Sequence, residues 1–533
     1  MNETADRRPL TWPDFAQASV APVAAWGMLR GQPAGGWVAV LVGLSLSLIA
    51  VLPWYRQRWH ERWQSAWRAA ADFPHAHPRV PLPAALLLVV VPSVLFLLLR
   101  DHGVQSGDSR PVVMATASLV RTGNTELSEF VPVYVKHHLF TSSDAPPYFF
   151  LACRRGIYSH YPSGMVVFAL PVVAAANVCG ADLDDPTVHE RLEKLTASCV
   201  SATCLGLFFL IALCITAPRP SYAATLPLAI GSVMYSTVGQ ALWQHGGVIF
   251  WLELLLLVEF RSFAAPTAKT IVVQAVCCGM MLACRLSAGL IVASFGIWLF
   301  IRSPRRAALL AGLSFIAVLP WAALNHWIYG SPLGPMAVQA RGTFWSVSNV
   351  GAWAGILFSP THGLLVYQPW IWLVPLAAAC RVGLASLRAP AHRWRRRIRW
   401  AGARKLASST LRLPYEARGL PVGWRWWAAS VIALHLALVS SWHCWWGGWC
   451  WGSRLAAEIV PLAALLSLGP LTALWNDRRG RQLVVATALA SALLHVPSVY
   501  LQQQRWYSDA DGGHERAALW CWSSPPFLFP IRR

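Results

Sequence analysis

The residues best suited to chemistry sit at the margins of apolar runs. The first set opens with Gly107 to Glu129, GDSRPVVMATASLVRTGNTELSE, directly after Pro81 to Leu99, a run long enough to cross a bilayer. Asp108 therefore stands where a spanning helix leaves the membrane, and a charge at that depth needs compensation. The same loop supplies Arg110, Glu126, Glu129, Lys136, His137, His138, Asp144, His160 and Tyr161. His245 follows in LWQHG at the head of a later run, and Arg454 closes HCWWGGWCWGSR with Glu458 one turn on. An acid among cations at a membrane surface suits one task. The acid accepts a proton from an attacking hydroxyl, while the cations stabilise a phosphate leaving group that stays on its lipid.

Each of these residues also has a plainer reading. Asp108 shortly before Pro111 is a good helix start and could serve only as a cap. Arg454 and Glu458 are spaced to neutralise each other. His245 beside Trp243 could be an interfacial anchor, and Arg285 a snorkelling anchor or a ligand. The tryptophans between 442 and 451 read as an aromatic belt or as a sugar platform. Glu253 lies within a span with no partner evident in the sequence.

Composition fixes the class of molecule in which these residues must be positioned. The 533 residues are 56% hydrophobic and 13% charged, with a mean hydropathy of +0.45, which implies a polytopic membrane protein. The net charge of +21 falls in short loops between apolar runs, so it reports topology, and nucleic acid is not an expected partner. No Cys-x-x-Cys pair points to a zinc ribbon or redox site. Cys199, Cys204, Cys214, Cys277, Cys278 and Cys284 lie inside apolar runs as small hydrophobes. Disulfides are chemically allowed for Cys153, Cys179, Cys444, Cys450 and Cys521 in loops read as external, with the pairing open.

The chain reads as all-α: a polytopic helical membrane protein of about twelve transmembrane helices, with a periplasmic first loop carrying juxtamembrane helices. Residues 1–35 form an N-terminal segment without the pattern of a cleavable signal. Residues 36–500 form the membrane module, with 100–191 as the first external loop, 381–426 as a basic cytoplasmic loop, and 501–533 as a short external tail. Spans are expected at Gly36 to Trp54, Pro81 to Leu99, 192–216, 221–238, 242–260, 269–285, 287–302, 307–325, Leu357 to Cys380, Trp427 to Trp442, Leu455 to Trp475 and Leu483 to Tyr500. The inside markers Arg302, Arg305 and Arg306 agree with an external Asp108 only if one apolar run does not cross. Pro162 to Val178, opening with YPSG and followed by Asp182, Asp184, Asp185 and His189, is that run, read as a helix on or dipping into the outer face.

GDSRPVVMATASLVRTGNTEL resembles the first-loop signature of the GT-C superfamily of integral-membrane glycosyltransferases, in its bacterial protein-mannosyltransferase-like branch. Further landmarks follow in the expected order: YSHYPSG at 158–164, LWQHG at 242–246, YGSPLG at 329–334, LFSPTHGLLVYQP at 357–369 and WWGGWCWGSR at 445–454. The resemblance implies an inverting transfer of a sugar from a polyprenyl-phosphate donor to a glycan, lipid or protein acceptor outside the cytoplasm, in a bacterial inner membrane. It places Asp108 as the family's first-loop catalytic carboxylate, acting as general base, and Arg454 at the donor phosphate. His160 and Tyr161 match the residues before the juxtamembrane Pro motif. Arg110, Lys136, His138, His245 and Glu458 complete the expected donor-binding set. The chain departs from the family at Ser109, where an acid is frequent, at Ser163, where Pro-Pro is frequent, and at His362, where Arg or Lys is frequent. A divalent metal at Asp108 would need Glu126, Glu129 or Asp144 to fold back and join it. The competing functional readings are a lipid-linked-sugar flippase or secondary transporter, which would keep its charges near the midplane, and a non-catalytic relative.

Overall fold

The computed structural model describes residues 89–98, 106–139, 144–263, 266–335, 350–387, 420, 422–448, 450–495, 519–523 and 525–527. These lie in one compact unit formed by 74–338 and 347–533. The N-terminal segment, the expected span Gly36 to Trp54, residues 388–419 and 421 of the basic 381–426 loop and most of the tail lie outside the described residues.

The described chain is mostly helical. Its helices are α1 (Val91–Leu97), α2 (Arg110–Thr122), α3 (Val131–Lys136), α4 (Val166–Val178), α5 (Pro186–Leu213), α6 (Pro218–Ile230), α7 (Gln244–Ser262) and α8 (Ala268–Cys284). They continue as α9 (Gly289–Arg302), α10 (Pro304–Tyr329), α11 (Val350–Phe358), α12 (Leu364–Tyr367), α13 (Trp370–Leu387), α14 (Val422–Ser440), α15 (Val460–Trp475) and α16 (Arg478–His495). A hairpin of β1 (Phe150–Cys153) and β2 (Gly156–Ser159) interrupts them before α4.

Local chemistry sets many of the ends. Pro111 lies in the first turn of α2, and Gly123, at φ 76°, closes it by donating its N–H to the Leu119 carbonyl. The Asp185 carboxylate caps α5 by accepting from the Thr187 N–H, with Pro186 at the first helical position. Thr267 and Thr270 form a reciprocal cap on α8. Helix α10 begins at Pro304 and ends at the left-handed Gly330.

Among the described residues, three helical stretches are long and apolar enough to cross a membrane: Pro186–Leu213, Pro304–Tyr329 and Arg454–Trp475. Shorter apolar helices occur at Ser163–Val178, Ala268–Cys284, Leu286–Arg302 and Trp370–Cys380. The three long ones divide by environment. The apolar windows of the first and third are 78% and 83% buried inside the protein, whereas that of α10 is only 11% buried. Phe315 and Ile316 of α10 stand 64% and 60% exposed. A 26-residue helix with that much bare apolar surface needs lipid to cover it.

The structure corrects the expected runs in places. Leu357 to Cys380 is not one helix: α11 ends at Phe358, and a turn through Ser359–Gly363 and the short α12 separates it from α13. Pro360, Gly363 and Pro369 in this stretch are the turn and breaker residues responsible. The run 221–238 is helical only to Ile230, after which a π-type turn covers Met234–Val238. Helix α5 starts earlier than 192 because Asp185 and Pro186 nucleate it.

Candidate active site

Asp108 is not a helix cap. The cap position of α2 is Ser109, which makes no side-chain bond to the helix and instead gives its hydroxyl proton to Glu193. The Asp108 carboxylate is thereby free to gather partners distant in sequence. Its Oδ2 accepts from Arg454 Nη1 at 2.8 Å across 346 residues of sequence. Its Oδ1 accepts from the hydroxyls of Tyr161 at 2.6 Å and Tyr148 at 2.7 Å.

The hairpin explains how two tyrosines thirteen positions apart reach one oxygen. Tyr148 stands two residues before β1 and Tyr161 two residues after β2, and the antiparallel register pairs Phe150 with Ser159. The pairing extends outward through the His160 N–H, which donates to the Phe149 carbonyl at 2.9 Å. The two flanks are therefore neighbours. Glu126 fixes the hairpin by accepting from the Ile157 N–H at 2.7 Å. Gly107 leaves room for Tyr148, since a Cβ there would lie 2.4 Å from the tyrosine hydroxyl oxygen.

Burial works to raise the Asp108 pKa, but the Arg454 charge and the hydrogen bonds from Tyr161 and Tyr148 outweigh it and hold the carboxyl below its ordinary 3.8. Burial, then the Asp108 charge, pushes both phenols up, so they remain donors. Burial lowers His160 against the pull of Asp108, which favours its neutral imidazole.

Arg454 is held from a second direction. Its guanidinium lies 4.1 Å from the ring centre of Trp243, the cap residue of α7. Glu193 of α5 then ties the two halves together. Besides the Ser109 hydroxyl, it accepts from the Leu242 N–H at 3.1 Å, next to Trp243. One buried carboxylate thus anchors the segment bearing Asp108 and the segment beneath Arg454.

Next to this pair is a second charged cluster. Glu458, 1% exposed, meets Arg285 Nη1 at 2.8 Å, His245 Nδ1 at 3.0 Å and His435 Nε2 at 3.1 Å. Arg454 and Glu458 therefore do not neutralise each other; each has partners of its own. Arg285, in extended backbone at the break after α8, is the more exposed member at 24%.

The expected site residues sort into three groups. Asp108, His160, Tyr161 and Arg454 come together, and His245 and Glu458 form the adjoining cluster. Arg110 does not face Asp108: it is buried toward α5, 3.6 Å from Glu193 and 3.8 Å from Glu190. Lys136 and His138 are exposed around the end of α3, with His138 in the left-handed region at φ 49°. Sequence reasoning missed Tyr148, Glu193 and His435, left Arg285 as a snorkelling anchor or a ligand, and named Trp243 only as the neighbour of His245.

The acids required for a divalent cation are not assembled around Asp108. Glu126 holds the hairpin, Glu129 pairs with Arg121 at 3.5 Å, and Asp144 is exposed. A carboxylate already paired with a guanidinium is a poor start for a hard-cation site. Among the described residues, none of the three acids named as partners for a metal at Asp108 joins it. A scan of protein-family models and searches of curated proteins and of solved structures return no match to the chain.

Proposed function

We propose that this chain is a GT-C-type membrane glycosyltransferase that moves a sugar from a polyprenyl-phosphate donor to an acceptor hydroxyl, with inversion at the anomeric carbon. In this reading about twelve helices span a bacterial inner membrane, and the end of the bundle carrying Asp108 faces the periplasm. The observation that carries the proposal is the meeting of Asp108 and Arg454 from opposite parts of the chain, beside a second arginine-bearing cluster.

The chemistry follows from those groups. Asp108 takes the proton of the acceptor hydroxyl as its oxygen bonds to the anomeric carbon. The bond from that carbon to the phosphate oxygen breaks, and its electrons leave with the polyprenyl phosphate. Arg454 and Arg285 offset the negative charge that develops there. His245 holds Glu458 and through it Arg285, so its part is positioning. A single base is sufficient when the donor carries an activated leaving group, in contrast to the paired carboxylates of glycosidases.

The test uses the full chain reconstituted in vesicles with radiolabelled polyprenyl-phosphate mannose and a cell-envelope extract as acceptor source. Label transferred into an acceptor, with release of polyprenyl phosphate, supports the enzyme. Label that crosses the bilayer still attached to its lipid supports the flippase reading instead.

A further inference from the structure

We propose that the Asp108–Arg454 ion pair is a lock that the donor's phosphate opens, so that donor binds first and Asp108 becomes an available base only afterwards. This rests on the glycosyl-transfer reading above. As it stands, Asp108 cannot readily receive an acceptor hydroxyl. Two phenols occupy Oδ1 and a guanidinium occupies Oδ2, three of the roughly four directions in which a carboxylate accepts.

Arg454 has the capacity to change partners. Its Nε is buried and has no hydrogen-bond partner among the described residues, while Nη1 is spent on Asp108. A guanidinium presents its N–H groups as a planar fork that suits a phosphate better than a single carboxylate oxygen. Stacking on Trp243 fixes the plane of that fork but permits rotation within it. A lipid phosphate approaching the Nε edge can therefore draw Arg454 from Asp108 without lifting it off the indole. The tyrosines stay on Oδ1 and keep the carboxylate in place while Oδ2 opens toward the acceptor.

The same exchange supplies the reset. After transfer Asp108 carries the acceptor's proton and no longer competes for Arg454, so polyprenyl phosphate remains held. Loss of that proton to water restores the carboxylate, which reclaims Arg454 and helps to release the product.

Competition for one guanidinium gives a distinctive binding pattern, read by titrating dodecyl phosphate, with inorganic phosphate as the tail-less arm, into the nanodisc-embedded full chain. Asp108→Asn removes the competitor's charge, and both ligands should bind roughly tenfold tighter or more. Arg454→Gln should bind both far more weakly than wild type. The double variant should match Arg454→Gln, because with no guanidinium there is nothing left to release. Equal or weaker binding by Asp108→Asn, or a gain that persists in the double variant, overturns the lock. If Asp108→Asn is poorly folded by its thermal transition, Asp108→Ser applies the same test without the carboxylate. Sugar transfer is scored separately: wild-type transfer without the Asn gain removes the lock but leaves the enzyme, whereas the gain without any transfer leaves a phosphate gate and removes the enzyme.

Discussion

Helix α7 carries a buried acid–arginine cluster near each end, and the two are built differently. Near its C-terminus Glu259, wholly buried, is held by Arg306 of α10 and by Gln274 of α8 at 2.7 Å, with Arg302 of α9 at 4.0 Å. All four side chains project from regular helices. Near its N-terminus Trp243 and His245 join the Asp108 and Glu458 clusters, whose other members come from a loop, the flanks of a hairpin, a helix break, a 3-10 turn and, for His435, helix α14. The Asp108 side chain is also 20% exposed. The helical cluster also contains a buried arginine nitrogen without a hydrogen-bond partner among the described residues, Arg306 Nε, but its carboxylate, Glu259, is 0% exposed. The loop-built cluster differs in its carboxylate, since the Asp108 side chain keeps a fifth of its surface accessible. That contrast is the physical ground for assigning structure to one end and chemistry to the other.

The sharpest way to break the comparison is to neutralise each acid. Asp108→Asn should lower the rate of sugar transfer about a thousandfold while the thermal transition stays near that of wild type. Glu259→Gln should do the reverse: loss of one partner from a buried pair costs about 3–5 kcal/mol, read as a lower thermal midpoint, with the KM for donor unchanged in the protein that remains folded.

Arg454→Gln sharpens the electrostatics. Asp108 is held below 3.8 in the native protein, so the acid limb of kcat/KM should fall below that value in wild type. Without Arg454 the largest influence holding the Asp108 pKa down is lost, so the pKa rises and the acid limb should move to higher pH. Linkage has the same sign: a carboxyl with a depressed native pKa stabilises the fold above about 3.9, and that contribution disappears as pH falls through the native value. Acid titration of the thermal midpoint should show this loss in wild type and not in Arg454→Gln. The smallest effect is expected from Tyr148→Phe, which removes one of two donors to Oδ1. It should weaken turnover by roughly ten- to a hundredfold, less than the loss in Asp108→Asn, since a hydrogen bond to a charged group contributes about 1.5–3 kcal/mol and Tyr161 remains.

The helical character, and three helices long and apolar enough to cross a membrane among the described residues, were legible because apolar run length reports directly on such helices. The meeting of Asp108 with Arg454 followed from placing both loops at one end of the bundle. What the sequence hid was direction. Arg110 sits two residues from Asp108, yet helical geometry turns it toward Glu190 and Glu193, whose inward face is masked by the otherwise polar start of α5. Tyr148 was overlooked because its role depends on hairpin register rather than on any local motif. Glu193 gave only the weak signal of an acid near the head of an apolar run. The break after Phe358 was signalled by SPTHG, but the apolar average across Leu357 to Cys380 concealed it.

The central claim is that one carboxylate and one guanidinium receive a lipid phosphate at this end of the bundle. A structure of the nanodisc-embedded protein with polyprenyl phosphate tests it most directly. The account predicts phosphate oxygens within hydrogen-bonding distance of Arg454 Nε, with Asp108 Oδ2 detached from Nη1 and the two tyrosines still on Oδ1. Phosphate bound elsewhere, with the Asp108–Arg454 pair intact, would contradict it.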